Sequence, residues 1–193
     1  MAYAAPIVET QDANAPVTSR TGLARFMRRI CAEMGAQRYM LVQPSVERGP
    51  KSVSIITSNW VFDALEDLGS EGIARIIESG VAVSAGGCAR PLLAASATFL
   101  TAEERRALRD HGHIETHCRR LVADGVNVYA LFSSETPGAI SGAALSRAHM
   151  KCGYALVQFF AATGGRASID PLSERERECL MWVSEGKTTD EVA

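Results

Sequence analysis

Pro171-Leu-Ser-Glu-Arg-Glu-Arg-Glu-Cys-Leu-Met-Trp-Val-Ser-Glu-Gly-Lys-Thr-Thr-Asp-Glu-Val-Ala193 reads as two helix starts joined by a glycine corner. Ser173 followed three residues later by Glu176 is a capping box, in which each side chain satisfies a backbone N–H of the other residue. Thr188 and Glu191 repeat the pattern. Between the two, Gly186 stands where a helix ends on a left-handed residue, and Lys187 lies beside the negative end of that helix's dipole. Cys179, Leu180 and Val183 supply an apolar stripe at helical spacing. A helix, a corner and a second capped helix make the first half of a helix-turn-helix.

Upstream of this segment, residues 164–170 have the composition of a linker. Before the linker, Ser146 to Thr163 reads as a long helix with Met150, Tyr154, Val157 and Ala161 on one stripe. Tyr154, Val157, Phe159 and Phe160 spread around it, so more than one face is apolar, and such a helix is either buried or partnered. Val126 to Phe132 predicts a strand apolar on both faces, and the turn signal Thr136-Pro137-Gly138 predicts Ala139 to Leu145 as its hairpin partner. Thr101-Ala-Glu-Glu104 opens a helix through a capping box, and after a break at Gly112 the stretch Ile114 to Ala123 reads as helical up to Gly125.

Nearer the start, Leu23, Phe26, Met27, Ile30, Cys31 and Met34 recur at helical spacing, and Gly35 ends the run. Arg25, Arg28 and Arg29 lie off that stripe, on a solvated face. Tyr39 to Val42 and Val53 to Thr57 predict two strands of an antiparallel hairpin turning at Glu47-Arg-Gly-Pro50. Two short helices follow. One carries Val61, Ala64, Leu65 and Leu68 and ends at Gly69; the other is capped by Ser70, carries Ile73, Ile76 and Ile77, and ends at Gly80. Val81 to Ser84 is a further candidate strand, and residues 85–91 are a loop. Hairpins at each end with helices between predict an α+β domain, one antiparallel sheet layered with helices. The expected division is a flexible leader (1–18), this domain (19–163), the linker (164–170) and the partial helix-turn-helix (171–193).

Composition sets bounds on function. The 193 residues are 47% hydrophobic and 22% charged, ordinary for a globular protein. A net charge of −2 offers no whole-chain basic field for a polyanion, and residues 171–193 are themselves acidic, so this chain alone is not expected to hold DNA tightly. Five scattered cysteines argue for reduced thiols, and the N-terminus lacks a signal-peptide pattern. A cytoplasmic protein without a membrane span is the expectation.

The segment from Ser173 through Arg175, Glu176, Glu178, Leu180 and Trp182 to Gly186-Lys187-Thr188 and Glu191-Val192-Ala193 resembles the start of the DNA-binding domain of LuxR-type transcriptional regulators. The resemblance implies scaffold roles for Glu176, Leu180 and Gly186 and DNA-backbone contacts for Lys187 and Thr188. The family's recognition helix would follow the residue matching Ala193. It further implies that residues 19–163 form an autoinducer-binding, GAF/PAS-like domain that dimerises and encloses a small-molecule signal, as in quorum sensing.

In lactone-binding members an aromatic follows the second strand, a Trp comes four residues later, and an Asp-Pro pair lies farther on. Here Trp60 matches the aromatic, but the next position is Ala64 and the chain's only Asp-Pro pair is Asp170-Pro171, in the linker. Acyl-homoserine lactone is therefore disfavoured, which leaves another small molecule or none, and Trp60 is either a ligand contact or a core aromatic.

No catalytic constellation emerges. His111, His113 and His117 read as polar surface at a helix junction, although a helix would give His113 and His117 metal-ligand spacing. Cys88, after Gly86-Gly87, reads as a small buried thiol with no base tied to it. The expectation is an orphan regulator, with no enzyme activity, no metal and no resident cofactor. It would work as a homodimer on DNA once the helix-turn-helix is complete. The alternative is a naturally truncated partner that forms inactive heterodimers with a full-length LuxR-type relative.

Overall fold

Two hairpins build the sheet. In the computed structural model, which describes residues 16–45, 52–79 and 99–164, β1 (Arg38–Ser45) pairs with β2 (Ser52–Ser58), and β3 (Glu115–Ala123) with β4 (Val126–Ser134). The hairpins join through β1 and β4, so all neighbours are antiparallel in the order β2-β1-β4-β3. This is the α+β layered sheet that the element order implied. The helix-turn-helix positions Glu176, Leu180, Gly186, Lys187 and Thr188 lie outside the described residues. So do most of the leader and linker, the candidate strand Val81–Ser84 and the loop carrying Cys88.

Helices cover both faces of the sheet. On one face lie α1 (Arg20–Met34) and the long α4 (Gly142–Thr163); on the other lie α2 (Phe62–Glu78) and α3 (Ala102–Asp110). Leu23, Met27, Ile30 and Met34 of α1 meet Leu156, Phe159 and Phe160 of α4 over Tyr39, Leu41, Leu121, Ala130 and Phe132 of the sheet. Arg25, Arg28 and Arg29 sit on the exposed side of α1, as its periodicity required. Ser19 caps α1 by accepting from the Gly22 N–H, and Gly35 closes it in the left-handed region. A Cβ on Gly35 would lie 2.7 Å from the Ala139 carbonyl oxygen, so the glycine both ends the helix and admits the β4–α4 connection. Gly35→Ala is expected to lower the unfolding free energy by about 2 kcal/mol. The check is a lower urea midpoint at unchanged slope.

Helix α2 is two helices in one run. Gly69, at φ 64° and ψ 170°, occupies a region essentially reserved for glycine and kinks the axis where the sequence placed a break. Thr101 and Glu104 form the expected capping box on α3, with both reciprocal hydrogen bonds present.

Two expectations are corrected. Ile114 to Ala123 is not helical: Glu115–Ala123 is the edge strand β3, joined to β4 by Asp124-Gly125, both at positive φ (51° and 74°), as a two-residue type I′ hairpin requires. Nor does Ala139 to Leu145 return as a strand. The hairpin partner of β4 is β3, while Ser141 caps α4 by accepting from the Ala144 N–H, so the long helix begins at Gly142 rather than Ser146. Along α4 the two apolar faces separate. Ala148, Cys152, Ala155, Leu156, Phe159 and Phe160 are buried, while Met150, Tyr154 and Val157 remain 75%, 70% and 50% exposed.

Candidate functional site

The face beneath α2 and α3 carries the candidate site. Register places side chains of β1, β4 and β3 in rows across the sheet. Arg38, Ser133 and Thr116 form the row at one end; Met40, Leu131 and Cys118 form the next; Val42, Tyr129 and Arg120 follow. The first row is polar and the second apolar. Above them Ala64, Leu68, Ile73, Ala74, Ile76 and Ile77 of α2, with Leu108 of α3, complete a buried apolar layer.

Trp60 enters that layer from the end of β2. Asn59 sets its direction by extending the β1 ladder: its N–H donates to Tyr39 O (3.1 Å), its Oδ1 accepts from Tyr39 N–H (2.6 Å), and its Nδ2 donates to Gln37 O (3.0 Å). The Trp60 N–H donates to Ser58 Oγ (3.0 Å). Trp60 is only 6% exposed, yet its Nε1–H has no hydrogen-bond partner among the described residues.

His113 meets it from the loop after α3. Its N–H donates to Leu108 O (2.7 Å), and Thr116 Oγ1 donates to its carbonyl (3.3 Å) while also bonding Ser133 Oγ (3.2 Å). The ring is fully buried and lies 3.9 Å from the Trp60 ring, centroid to centroid, tilted by 32°. Neither imidazole nitrogen has a partner among the described residues. Burial pushes the pKa down to about 4, with the Arg38 and His111 charges adding to the effect, so the ring is neutral at pH 7. Arg38 donates through its terminal nitrogen to Glu135 (3.3 Å), but its Nε is buried and unpartnered. Three side chains thus bring unsatisfied polar atoms to one end of an apolar layer, in a protein interior where such groups are normally paired.

Glu104 and His111, by contrast, are engaged. Glu104, buried on α3, is held by Arg75 of α2 and accepts from Thr101 N–H (2.8 Å). Burial pushes its pKa up, but Arg75 and the Thr101 hydrogen bonds outweigh that and leave its carboxyl below the usual range. His111 bonds Asp67 (2.8 Å), which ties α3 to α2 at the surface. Cys118 is buried, and its thiol is pushed up to about 12 by desolvation.

The expected histidine surface is corrected as well. His113 and His117 are both buried and do not share a helix: His113 lies in a loop, and His117 points from β3 to the opposite face of the sheet, where it bonds Glu115 (2.8 Å). No group of three potential metal ligands occurs among the described residues, and no described helix is long and apolar enough to cross a membrane. Trp60, named from the sequence as a ligand contact or a core aromatic, lies in this layer, as does His113, expected at the surface; the sequence does not single out Arg38, Thr116 and Ser133. The one local signal was the pair Ser133-Ser134 closing an otherwise apolar strand.

No family model and no curated protein sequence matches the chain. Solved structures do. SdiA in complex with octanoyl-rac-glycerol superposes with a TM-score of 0.58 at 19% identity, over 91% of this chain and 74% of that one. A crystal structure of Escherichia coli SdiA gives 0.57 at 18% identity, over 91% and 76%. At this identity the likeness establishes a shared fold.

Proposed function

We propose that this chain is the sensing and dimerising part of a LuxR-type transcriptional regulator, and that it takes up a small, largely apolar molecule between the sheet and the α2–α3 layer. One observation carries the reading: the unsatisfied Trp60 Nε1, His113 ring nitrogens and Arg38 Nε gather at one end of a buried apolar layer. The SdiA fold supports it, since one SdiA structure holds octanoyl-rac-glycerol. Trp60 is the ligand contact in this reading. Ala64, 2% exposed and without a donor, stands where lactone binders place their second aromatic, so acyl-homoserine lactone is not the ligand. The motif at residues 171–193 supplies the link to DNA, with Lys187 and Thr188 at the backbone. Binding acts by favouring one arrangement of the dimer over another, in proportion to the ligand's differential affinity.

The dimer forms through the exposed stripe Met150, Tyr154 and Val157 of α4. A helix face this apolar is costly to leave in water and suits a two-fold contact. Two measurements test the proposal. Calorimetry with C8–C12 amphiphiles should give saturable binding that is lost in Leu131→Trp, whose bulk fills the layer. Light scattering should show a dimer that Tyr154→Glu converts to monomer, weakening association at least about 100-fold. Heat-silent titrations across the panel would remove the sensing role, and a monomeric parent would remove the dimer.

A further inference from the structure

We infer that the ligand carries a carboxylate at the end of its apolar body, and that Arg38 and Trp60 are the residues that select it. The inference rests on the sensing reading above and names the chemistry of the molecule sensed.

At the polar end of the layer, Trp60 Nε1 and Arg38 Nε are donors that can accept nothing, and a neutral His113 adds one N–H and one acceptor nitrogen, so donors outnumber acceptors three to one. Thr116 Oγ1 bonds both the His113 carbonyl and Ser133 Oγ, so this hydroxyl pair is engaged within the protein. Matching acceptors on the protein side are few. The buried carboxylates among the described residues are Glu104 and Glu115. Glu104 is occupied by Arg75 and the Thr101 N–H, and Glu115 faces the opposite side of the sheet with His117. The complement of such an end is a group rich in lone pairs. A carboxylate, accepting through two oxygens, fits that description. A lactone amide or a glycerol head brings N–H or O–H donors of its own, for which this end offers the single acceptor nitrogen of His113 and leaves its donors less completely met.

Charge points the same way. Arg38 is permanently cationic, and its counter-ion among the described residues, Glu135, lies at the rim with 56% of its side chain exposed. That pairing uses a terminal nitrogen and leaves the buried Nε unmet. Behind the polar row, Met40, Leu131 and Cys118 offer a floor with no charge, and Ile73, Ile76 and Ile77 a matching roof. A head held at the first row therefore directs an alkyl or aromatic body along the strands.

The test uses the full chain at pH 7 with three probes of equal chain length: decanoate below its micelle-forming concentration, methyl decanoate and 1-decanol. Decanoate is expected to bind at least about 10-fold more tightly than either neutral probe, as charge-assisted hydrogen bonds exceed neutral ones. Arg38→Gln should erase that preference while leaving methyl decanoate affinity within about twofold. Trp60→Phe, which keeps the stack on His113 and removes the N–H, should weaken decanoate about fivefold. Far-UV circular dichroism and the unfolding midpoint confirm that each variant is folded. Equal binding of the three probes, or a carboxylate preference that survives Arg38→Gln, overturns this inference and leaves the sensing reading standing. A folded parent that binds none of the three overturns both.

Discussion

Between pH 6.5 and about 4, the unfolding free energy is expected to fall by on the order of 3 kcal/mol through His113 alone. The unfolded chain takes up a proton on this residue near pH 6.5, whereas in the folded chain burial resists it down to about 4, helped by the Arg38 and His111 charges. Over that window the unfolded state binds more protons, so stability drops as pH falls, and the loss is complete once both states are protonated. Replacing the ring with a side chain that does not titrate, His113→Gln, removes this component. The readout is the difference between the urea-derived stability profiles of the two proteins. It should close progressively on acidification, and profiles that run parallel from pH 7 to pH 4 would place His113 in a far wetter setting than the one described.

Glu115→Ala is expected to cost about 3 kcal/mol at pH 7. Glu115 is 5% exposed and serves two groups: Oε1 bonds His117 Nε2 at 2.8 Å, and Oε2 accepts from the Ile140 N–H at 3.3 Å. Truncation leaves the buried imidazole with neither nitrogen partnered, since its Nδ1 is already unmet, and deprives the Ile140 amide just ahead of the α4 cap. Glu115→Gln keeps one acceptor oxygen and should cost about 1 kcal/mol. The double variant Glu115→Ala/His117→Leu separates the two contributions, because it removes the orphaned ring together with its partner. A loss below about 1 kcal/mol in Glu115→Ala would mean that water replaces the carboxylate at this site.

Both residues show where sequence reading succeeds and where it stops. The first hairpin, the α1 stripe with its glycine end, the Thr101 capping box and the break at Gly69 are local, and local patterns reveal them. Strand β3 is not local in that sense. Glu115-Thr-His-Cys-Arg-Arg-Leu-Val-Ala123 lacks polar–apolar alternation because its first four residues are buried on both faces, polar side chains included. The stronger signal was Asp124-Gly125, a two-residue hairpin pair that reads equally well as a helix end unless the strand before it is recognised. Once β3 is mistaken for helix, β4 seeks its partner downstream, and residues 139–145 are miscast in consequence. Trp60 is singled out through the family resemblance, which places an aromatic after the visible second strand. The row Arg38–Ser133–Thr116 could not be found, since pairing of β1 with β4 joins distant parts of the chain and no local spacing encodes it.

The sheet is a single layer between two unlike interiors, so neighbouring residues of one strand pack into different cores. In β4, Leu131 packs beneath α2 and α3 and Phe132 beneath α1 and α4; in β1, Met40 and Leu41 divide the same way. A combinatorial library randomised only at 40, 118 and 131 would thus perturb the interior beneath α2 and α3 and leave the other untouched. The same diversity shifted by one position, to 41 and 132, would perturb the interior beneath α1 and α4 instead. Mutational effects along these strands are therefore expected to sort with a period of two.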